Sequence, residues 1–155
     1  MVSYRELVQQ CLPDIKEIMP WDLVALMAEK HDILILDVRE PYEFDTLHIS
    51  GSINVPRGIL ESACEWDYEE TVSELVKARK RDIVVVCRSG HRSALAVRTM
   101  QLLGYEQAVS LRTGLRGWND YEEQLWNSAG SLVEPEVADD YFTVKLRHDQ
   151  KAPKV

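Results

Sequence analysis

The fold of this chain is decided by the stretch Ile83-Val84-Val85-Val86-Cys87-Arg88-Ser89-Gly90-His91-Arg92-Ser93. The continuous β-branched run at its start predicts a buried strand. Residues 94–103 have helical propensity and are followed by Gly104, which is typical of a helix end. Cys87 is therefore expected in a strand-to-helix turn, where the free amides of a helix N-terminus attract negative charge.

The residues around Cys87 favour a reactive thiol over a packing role. A cysteine that ends a strand is often only a small buried apolar residue. Here glycine, serine, arginine and histidine crowd the same turn, and a core cysteine has no need of them. The predicted site consists of the catalytic Cys87 and the substrate-binding residues Arg88, Ser89, Gly90, His91, Arg92 and Ser93.

Each loop residue has a chemical role and a simpler alternative. The two arginines are predicted anion ligands, with solvated surface arginines as the alternative. The serines bind the sulfur or cap the following helix, and for Ser93 the cap alone is a sufficient explanation. Gly90 supplies the backbone freedom that turns successive amides inward. His91 either tunes the field near neutral pH or points to solvent.

Length and composition indicate one ordinary globular domain. The chain has 155 residues and a formal net charge of -8, which argues against nucleic acid as the main partner. The N-terminus lacks the apolar core of a signal peptide, and no run has transmembrane length, so a cytoplasmic protein without membrane association is expected.

The cysteines and histidines show no metal-site or disulfide pattern. Cys11, Cys64 and Cys87 are widely spaced and form no CxxC pair, so reduced thiols are the simplest expectation. Histidine spacing does not suggest ligands either, and neither a metal nor another cofactor is predicted. The four histidines are His31, His48, His91 and His148.

Helical patterns alternate with short apolar strands, which predicts an α/β fold with a central parallel sheet flanked by helices. Strands are expected within 33–38, 51–56, 83–86 and 108–111, and helices within 3–18 (interrupted at Pro13), 20–29, 58–64, 68–79, 94–103 and 114–127. Residues 1–16 are an N-terminal helical extension, 17–127 the main domain and 128–155 a tail. The tail is expected to be mobile or to strap over a neighbouring subunit, and a homodimer stays open.

Four segments resemble the rhodanese family of single-domain sulfurtransferases, in order and at fitting spacing. They are Asp37-Val38-Arg39-Glu40-Pro41-Tyr42-Glu43-Phe44, His48-Ile49 with Gly51 and Asn54-Val55-Pro56, the Cys87 loop, and Gly114-Leu115-Arg116-Gly117-Trp118. The resemblance covers about residues 17–125 and implies a rhodanese-like fold. The chain departs from the family at two places: Leu47 precedes His48, where the family commonly has glycine, and Ser50-Gly51-Ser52 follow Ile49, where it commonly has Pro-Gly-Ala.

The resemblance implies a catalytic Cys87 that carries a persulfide and accepts sulfur from a small anionic donor without a cofactor. It also implies support from Asp37 and Arg39, for which a structural ion pair, with Glu43 as the candidate partner of Arg39, is our preferred interpretation. Arg57 is a weaker candidate at the pocket mouth. Cys64 is either a second sulfur acceptor or a buried helical cysteine.

Loop length separates sulfur chemistry from phosphate chemistry. Protein tyrosine phosphatases and rhodanese-like phosphatases place an arginine six positions after the cysteine, where this chain has Ser93. The expected function is transfer of sulfane sulfur from thiosulfate or a low-molecular-weight persulfide to a thiophilic acceptor, including a protein cysteine. The alternative is a sulfur-carrier relay or a non-catalytic rhodanese-like interaction module.

Overall fold

The chain was analysed as a computed structural model that describes residues 1–30 and 32–155, so His31 lies outside the described residues. The strands there are β1 (Glu17–Ile18), β2 (Leu34–Asp37), β3 (Ile53–Asn54), β4 (Ile83–Val86), β5 (Ala108–Leu111), β6 (Leu125–Trp126) and β7 (Leu132–Val133). The α-helices are α1 (Tyr4–Cys11), α2 (Pro20–Glu29), α3 (Pro41–Thr46), α4 (Leu60–Ala63), α5 (Ser73–Lys77), α6 (His91–Leu102), α7 (Gly114–Asp120) and α8 (Pro135–Phe142). Short 3-10 helices cover Leu12–Asp14, Arg57–Ile59 and His148–Gln150.

The predicted parallel sheet is confirmed. Strands β1 to β5 form one sheet in the order β1-β5-β4-β2-β3, and every neighbouring pair is parallel. β4 lies at the centre, with Asp37 of β2 in register with Val86. The carboxyl ends of all five strands therefore lie on the same side of the sheet. The Cys87 loop begins there, at the end of the central strand β4.

The central strand contributes to both faces of the sheet. Ile83, Val85 and Cys87 belong to the core layer beneath α4, α5 and α6. Val84 and Val86 belong to the layer beneath α2, α7 and α8. This two-residue alternation is the pleat of a strand buried on both sides, which is why its sequence reads as a continuous apolar run.

Three predicted helices are shorter in the structure. The helix expected over 3–18 ends at Cys11, because Pro13 has no backbone N–H to continue it. Residues Glu17–Ile18 are instead an edge strand paired with β5, a long-range contact that local pattern does not reveal. The helix expected over 68–79 is confined to Ser73–Lys77, and the one over 114–127 ends at Asp120.

Residues 128–142 correct our expectation of a mobile tail, whereas residues 143–155 are all exposed and the strap over a neighbouring subunit stays a prediction. β6 and β7 form an antiparallel hairpin, and α8 packs against α7 of the same chain. Ala138 and Phe142, one helical turn apart on α8, are buried in the core beneath the sheet. The acidic residues around them concealed this short apolar stripe in the sequence.

Among the described residues, none of the helices combines the length and the apolar character needed to cross a bilayer.

Candidate active site

The Cys87 sulfur is held by the first turn of α6. This helix begins at His91, three residues earlier than predicted, because Gly90 adopts a left-handed conformation (φ +94°) that turns the chain into the helix. The amides of Gly90 and Ser93 lie 3.1 and 3.3 Å from Sγ and donate to it. A thiolate here receives two backbone hydrogen bonds and the positive end of the helix dipole.

Two buried hydroxyls extend the contacts of the sulfur. The Ser93 hydroxyl lies 3.4 Å from Sγ and 2.7 Å from the hydroxyl of Ser110 on β5, and both serines are fully buried. Ser93 is therefore more than a helix cap. Ser110 was missed in the sequence, although a serine inside the apolar strand 108–111 was a usable signal, since buried hydroxyls need a partner.

Helix α7 fixes the backbone of the loop from the other side. The amides of Leu115 and Arg116 donate to the carbonyls of Cys87 and Arg88 at 2.9 and 3.0 Å. Gly114 makes this approach possible: its φ is +61°, and a Cβ there would lie 2.5 Å from backbone atoms of Arg88 and Ser89. The glycine that begins the fourth family segment thus has a steric role at the site.

Replacing Gly114 with alanine is expected to lower the free energy of unfolding by at least about 2 kcal/mol. The left-handed conformation alone costs a non-glycine residue about 1–2 kcal/mol, and the clash is with backbone that cannot rotate away. The measurement is urea unfolding. Gly58→Ala is the matched control, because a Cβ at Gly58 meets nothing within 4 Å. Equal effects of the two substitutions would contradict the steric role.

The ion pairs near the loop differ from the pairing we expected. Arg39 pairs with Asp37, its neighbour on β2, and not with Glu43. The two carboxylate oxygens of Glu43 instead accept hydrogen bonds from the two terminal guanidinium nitrogens of Arg92, at 2.8 and 2.9 Å. Burial alone would raise the pKa of Glu43, but the hydrogen bonds from Arg92 and the Glu40 amide, with the charges of Arg92 and Arg39, outweigh it and lower the pKa.

The lowered pKa of Glu43 predicts an acid-sensitive contribution to stability. A carboxylate with a depressed pKa in the folded state stabilises the fold above its ordinary pKa, and this contribution disappears as pH falls through the folded-state value. Glu43→Gln is therefore expected to lower the free energy of unfolding at pH 7, and this decrease is expected to become progressively smaller towards pH 3. Urea unfolding across this range tests the trend, and a pH-independent difference would contradict it.

The guanidinium groups of Arg88 and Arg57 bind other residues of the chain. Arg88 donates to the Phe142 carbonyl at the end of α8 at 2.8 Å. Arg57 pairs with Glu61 and donates to Thr99, which lies eight residues along α6 from His91, about 12 Å at helical rise. Anion binding by Arg88 stays a prediction. A role of Arg57 at the pocket mouth also stays a prediction, but the contacts of Arg57 with Glu61 and Thr99 do not favour it.

The N-terminal extension reaches the site through Tyr4, which the sequence did not indicate. The Tyr4 ring meets the exposed His91 ring edge-on, with centroids 5.7 Å apart. Burial raises the pKa of the Tyr4 hydroxyl, a thiolate at Cys87 would raise it further, and the charge of Arg92 opposes both. Tyr4 therefore lies within electrostatic range of the sulfur, on a helix remote in sequence from the loop.

The other two cysteines are free, buried thiols. Cys11 packs with Val8 and Ala94 between α1 and α6, and Cys64 is fully buried behind α4. Burial raises the pKa of both thiols. In the described part of the chain, His, Cys, Asp and Glu side chains form no group of three or more that could hold a metal ion.

Two proteins whose names refer to sulfur transfer are similar to this chain in sequence. YrkF of Bacillus subtilis (strain 168), which is named as a sulfur carrier protein, is 34% identical over 89 residues that cover 57% of this chain and 43% of YrkF. A protein of Allochromatium vinosum named as a sulfurtransferase is 30% identical over 104 residues, 67% of this chain and 88% of that protein. The chain thus spans less than half the length of YrkF.

A solved structure from Rhodopseudomonas palustris, described as a protein of unknown function and possible tyrosine phosphatase, superposes with a TM-score of 0.69. It is 24% identical and covers 84% of this chain and 94% of that one, which is a likeness of fold. The family model of the rhodanese-like domain matches residues 20–121, well over half of the chain. With its parallel sheet and a cysteine loop at the head of α6, the chain belongs to the rhodanese-like domain family.

Proposed function

We propose that this protein is a sulfurtransferase that carries sulfane sulfur as a persulfide on Cys87. The observation that carries the proposal is the cradle around Sγ, where the amides of Gly90 and Ser93 and the Ser93 hydroxyl all lie within hydrogen-bond reach. The two amides donate to an anionic sulfur, and the Ser93 hydroxyl, which accepts from the neutral thiol, can donate to it once the thiol is ionised. These donors remain available when the negative charge moves to the outer sulfur of a persulfide.

The reaction has two steps with balanced bonds. The Cys87 thiolate attacks the sulfane sulfur of thiosulfate or of an organic persulfide, a new S–S bond forms, and the old bond breaks with its electron pair leaving on sulfite or a thiolate. A nucleophile such as cyanide, a small thiol or a protein cysteine then attacks the outer sulfur. The second S–S bond breaks and returns the electron pair to Cys87.

Loop geometry supports sulfur over phosphate. A phosphatase loop needs a free arginine six residues after the cysteine, but Ser93 stands there and directs its amide and hydroxyl to Sγ. Arg92, one position earlier, is bound by both carboxylate oxygens of Glu43. The spacing from the cysteine to the arginine is therefore one residue shorter than in a phosphatase loop, which suits one added sulfur atom better than a tetrahedral phosphate.

A second candidate is a relay that passes sulfur between proteins, as the name of YrkF suggests for that relative. Ser89 and His91, on the outer side of the loop, are exposed and accessible to a partner. The relay and the enzyme share the Cys87 persulfide and differ in the acceptor. We further propose that the protein works in the cytoplasm, where its three free cysteines would stay reduced.

Intact mass spectrometry tests the proposal. Incubation with thiosulfate or glutathione persulfide is expected to add the mass of one sulfur atom, located on Cys87 by peptide mapping, and cyanide is expected to remove it as thiocyanate. Aryl phosphates are expected to stay intact. Phosphate release without any sulfur adduct would overturn the proposal, and an unchanged mass with every donor would favour a non-catalytic binding module.

A further inference from the structure

A small cavity lies between the N-terminal helix α1 and the Cys87 loop. Its volume is about 310 Å³, at the lower end of the range for small-molecule sites and too small for a folded partner. Ser89, Gly90 and His91 form one wall, and Val8 of α1 and the turn after β5 form others. Gly90 belongs to this wall, and its amide donates to Sγ at 3.1 Å, so the cavity borders the loop that holds the Cys87 sulfur.

The cavity has charges of both signs from three separate elements. Arg5 of α1, Arg112 after β5 and Glu17 of β1 all line it. Arg92 and Arg88 of the loop are bound by Glu43 and Phe142, whereas among the described residues neither Arg5 nor Arg112 has a carboxylate within salt-bridge distance. These two guanidinium groups are therefore available to an external anion in the cavity that borders the Cys87 loop.

A cavity that binds only anions needs positive charges, but this one also contains a carboxylate. Two guanidinium groups favour a carboxylate, because arginine binds carboxylates through paired charge-assisted hydrogen bonds. Glu17 would repel a ligand that carried only negative charge, but it favours an ammonium group. A ligand with both groups satisfies all three side chains. An amino-acid thiol has this pair of charges on one carbon and a sulfur within a few bonds of it.

On the basis of the proposed function, we propose that this cavity selects amino-acid persulfides and thiols as the small-molecule substrates of Cys87. Arg5 and Arg112 bind the carboxylate, Glu17 binds the ammonium group, and the sulfur of the ligand faces Gly90 and His91 of the Cys87 loop. Arg5 and Glu17 lie outside residues 20–121, so the family match does not include this part of the wall.

Steady-state kinetics with matched donors test the selectivity. The donors are cysteine persulfide, 3-mercaptopropionate persulfide, which lacks the ammonium group, and 2-mercaptoethanol persulfide, which lacks both charges. Arg112→Gln is expected to raise KM about three- to tenfold for the first two donors and to leave the third unchanged. Glu17→Gln is expected to raise KM for cysteine persulfide only.

Lys77→Gln is the matched control for loss of one positive charge. Lys77 ends α5 shortly before β4 begins, so it lies near the amino end of β4, whereas Cys87 follows its carboxyl end. It is expected to leave all three KM values unchanged. If Arg112→Gln raised KM equally for all donors, or for none, the cavity would not select the charged groups and the inference would be overturned.

A binding measurement separates this inference from the proposed function. S-methylcysteine has both charges but no reactive thiol, and NMR titration of the wild-type protein with it is expected to shift the amides of Ser89, His91 and Thr113. Arg112→Gln is expected to weaken binding about three- to tenfold. If S-methylcysteine bound but no donor formed a persulfide, the proposed function would be overturned and the proposed ligand of the cavity would stand. If a persulfide formed but these shifts were absent, the proposed ligand would be overturned and the proposed function would stand.

Discussion

Replacing Cys87 with serine is expected to abolish sulfur loading while the protein stays folded. The thiolate is the nucleophile, and a serine hydroxyl neither ionises near neutral pH nor holds sulfur reversibly. The substitution changes one atom at a buried position, and the hydroxyl can accept the Gly90 and Ser93 amides that now bind Sγ. Intact mass after treatment with thiosulfate measures loading, and urea unfolding measures the fold.

The matched controls are Cys11→Ser and Cys64→Ser, which are expected to retain most of the sulfur loading. Both thiols are buried with a raised pKa, which disfavours the reactive thiolate. Cys64→Ser also tests the second-acceptor alternative for that residue. If this variant loaded with sulfur but failed to transfer it, a single-cysteine mechanism would have to be abandoned.

The second large effect is expected at the buried ion pair beside the loop. Asp37 and Arg39 are both fully buried, and Arg39 donates to the Asp37 carboxylate at 2.8 to 3.2 Å and to the Leu47 carbonyl at 2.6 Å. Arg39→Met leaves the Asp37 carboxylate buried without its partner. Removal of one member of such a pair costs about 3–5 kcal/mol, a large part of the stability of an ordinary domain.

A double-mutant cycle distinguishes the pair from simple loss of packing. Asp37→Leu combined with Arg39→Met removes both charges and is expected to be less destabilising than the sum of the single substitutions. Urea unfolding of the four proteins gives the interaction energy. Additive effects would show that the two side chains stabilise the fold independently. Because Asp37 is in register with Val86, the single variants are also expected to slow sulfur loading.

Several features of the site were predictable because they depend on neighbouring residues in the chain. The run 83–86, the turn at Cys87 and the glycine at position 90 specify a strand, a loop and a helix start within a dozen residues. Orientation of the Gly90 amide towards the sulfur follows from the same local geometry. The alternation of helical patterns with short apolar strands was enough to predict the parallel sheet, which the structure confirms.

The partners of charged side chains were not predictable in the same way. Arg39 was expected beside Glu43, four residues away, but Arg92 reaches Glu43 across 49 positions of the chain. Arg88 likewise reaches Phe142 across 54 positions. A long flexible side chain has many acceptors within reach, and the choice among them depends on which elements the fold brings to the same edge.

The sequence by itself determined the parallel sheet, the position of Cys87 at the end of a buried strand and the presence of a helix directly after the Cys87 loop, although that helix begins three residues earlier than predicted. These depend on hydrophobic periodicity and backbone preference, which act over short stretches of chain. Only the tertiary structure decided that Ser110 completes the hydroxyl pair, that α8 packs on the core and that α1 brings Tyr4 and Arg5 to the loop. Those contacts join residues far apart in the chain, and packing of whole elements, which local preference does not encode, sets them.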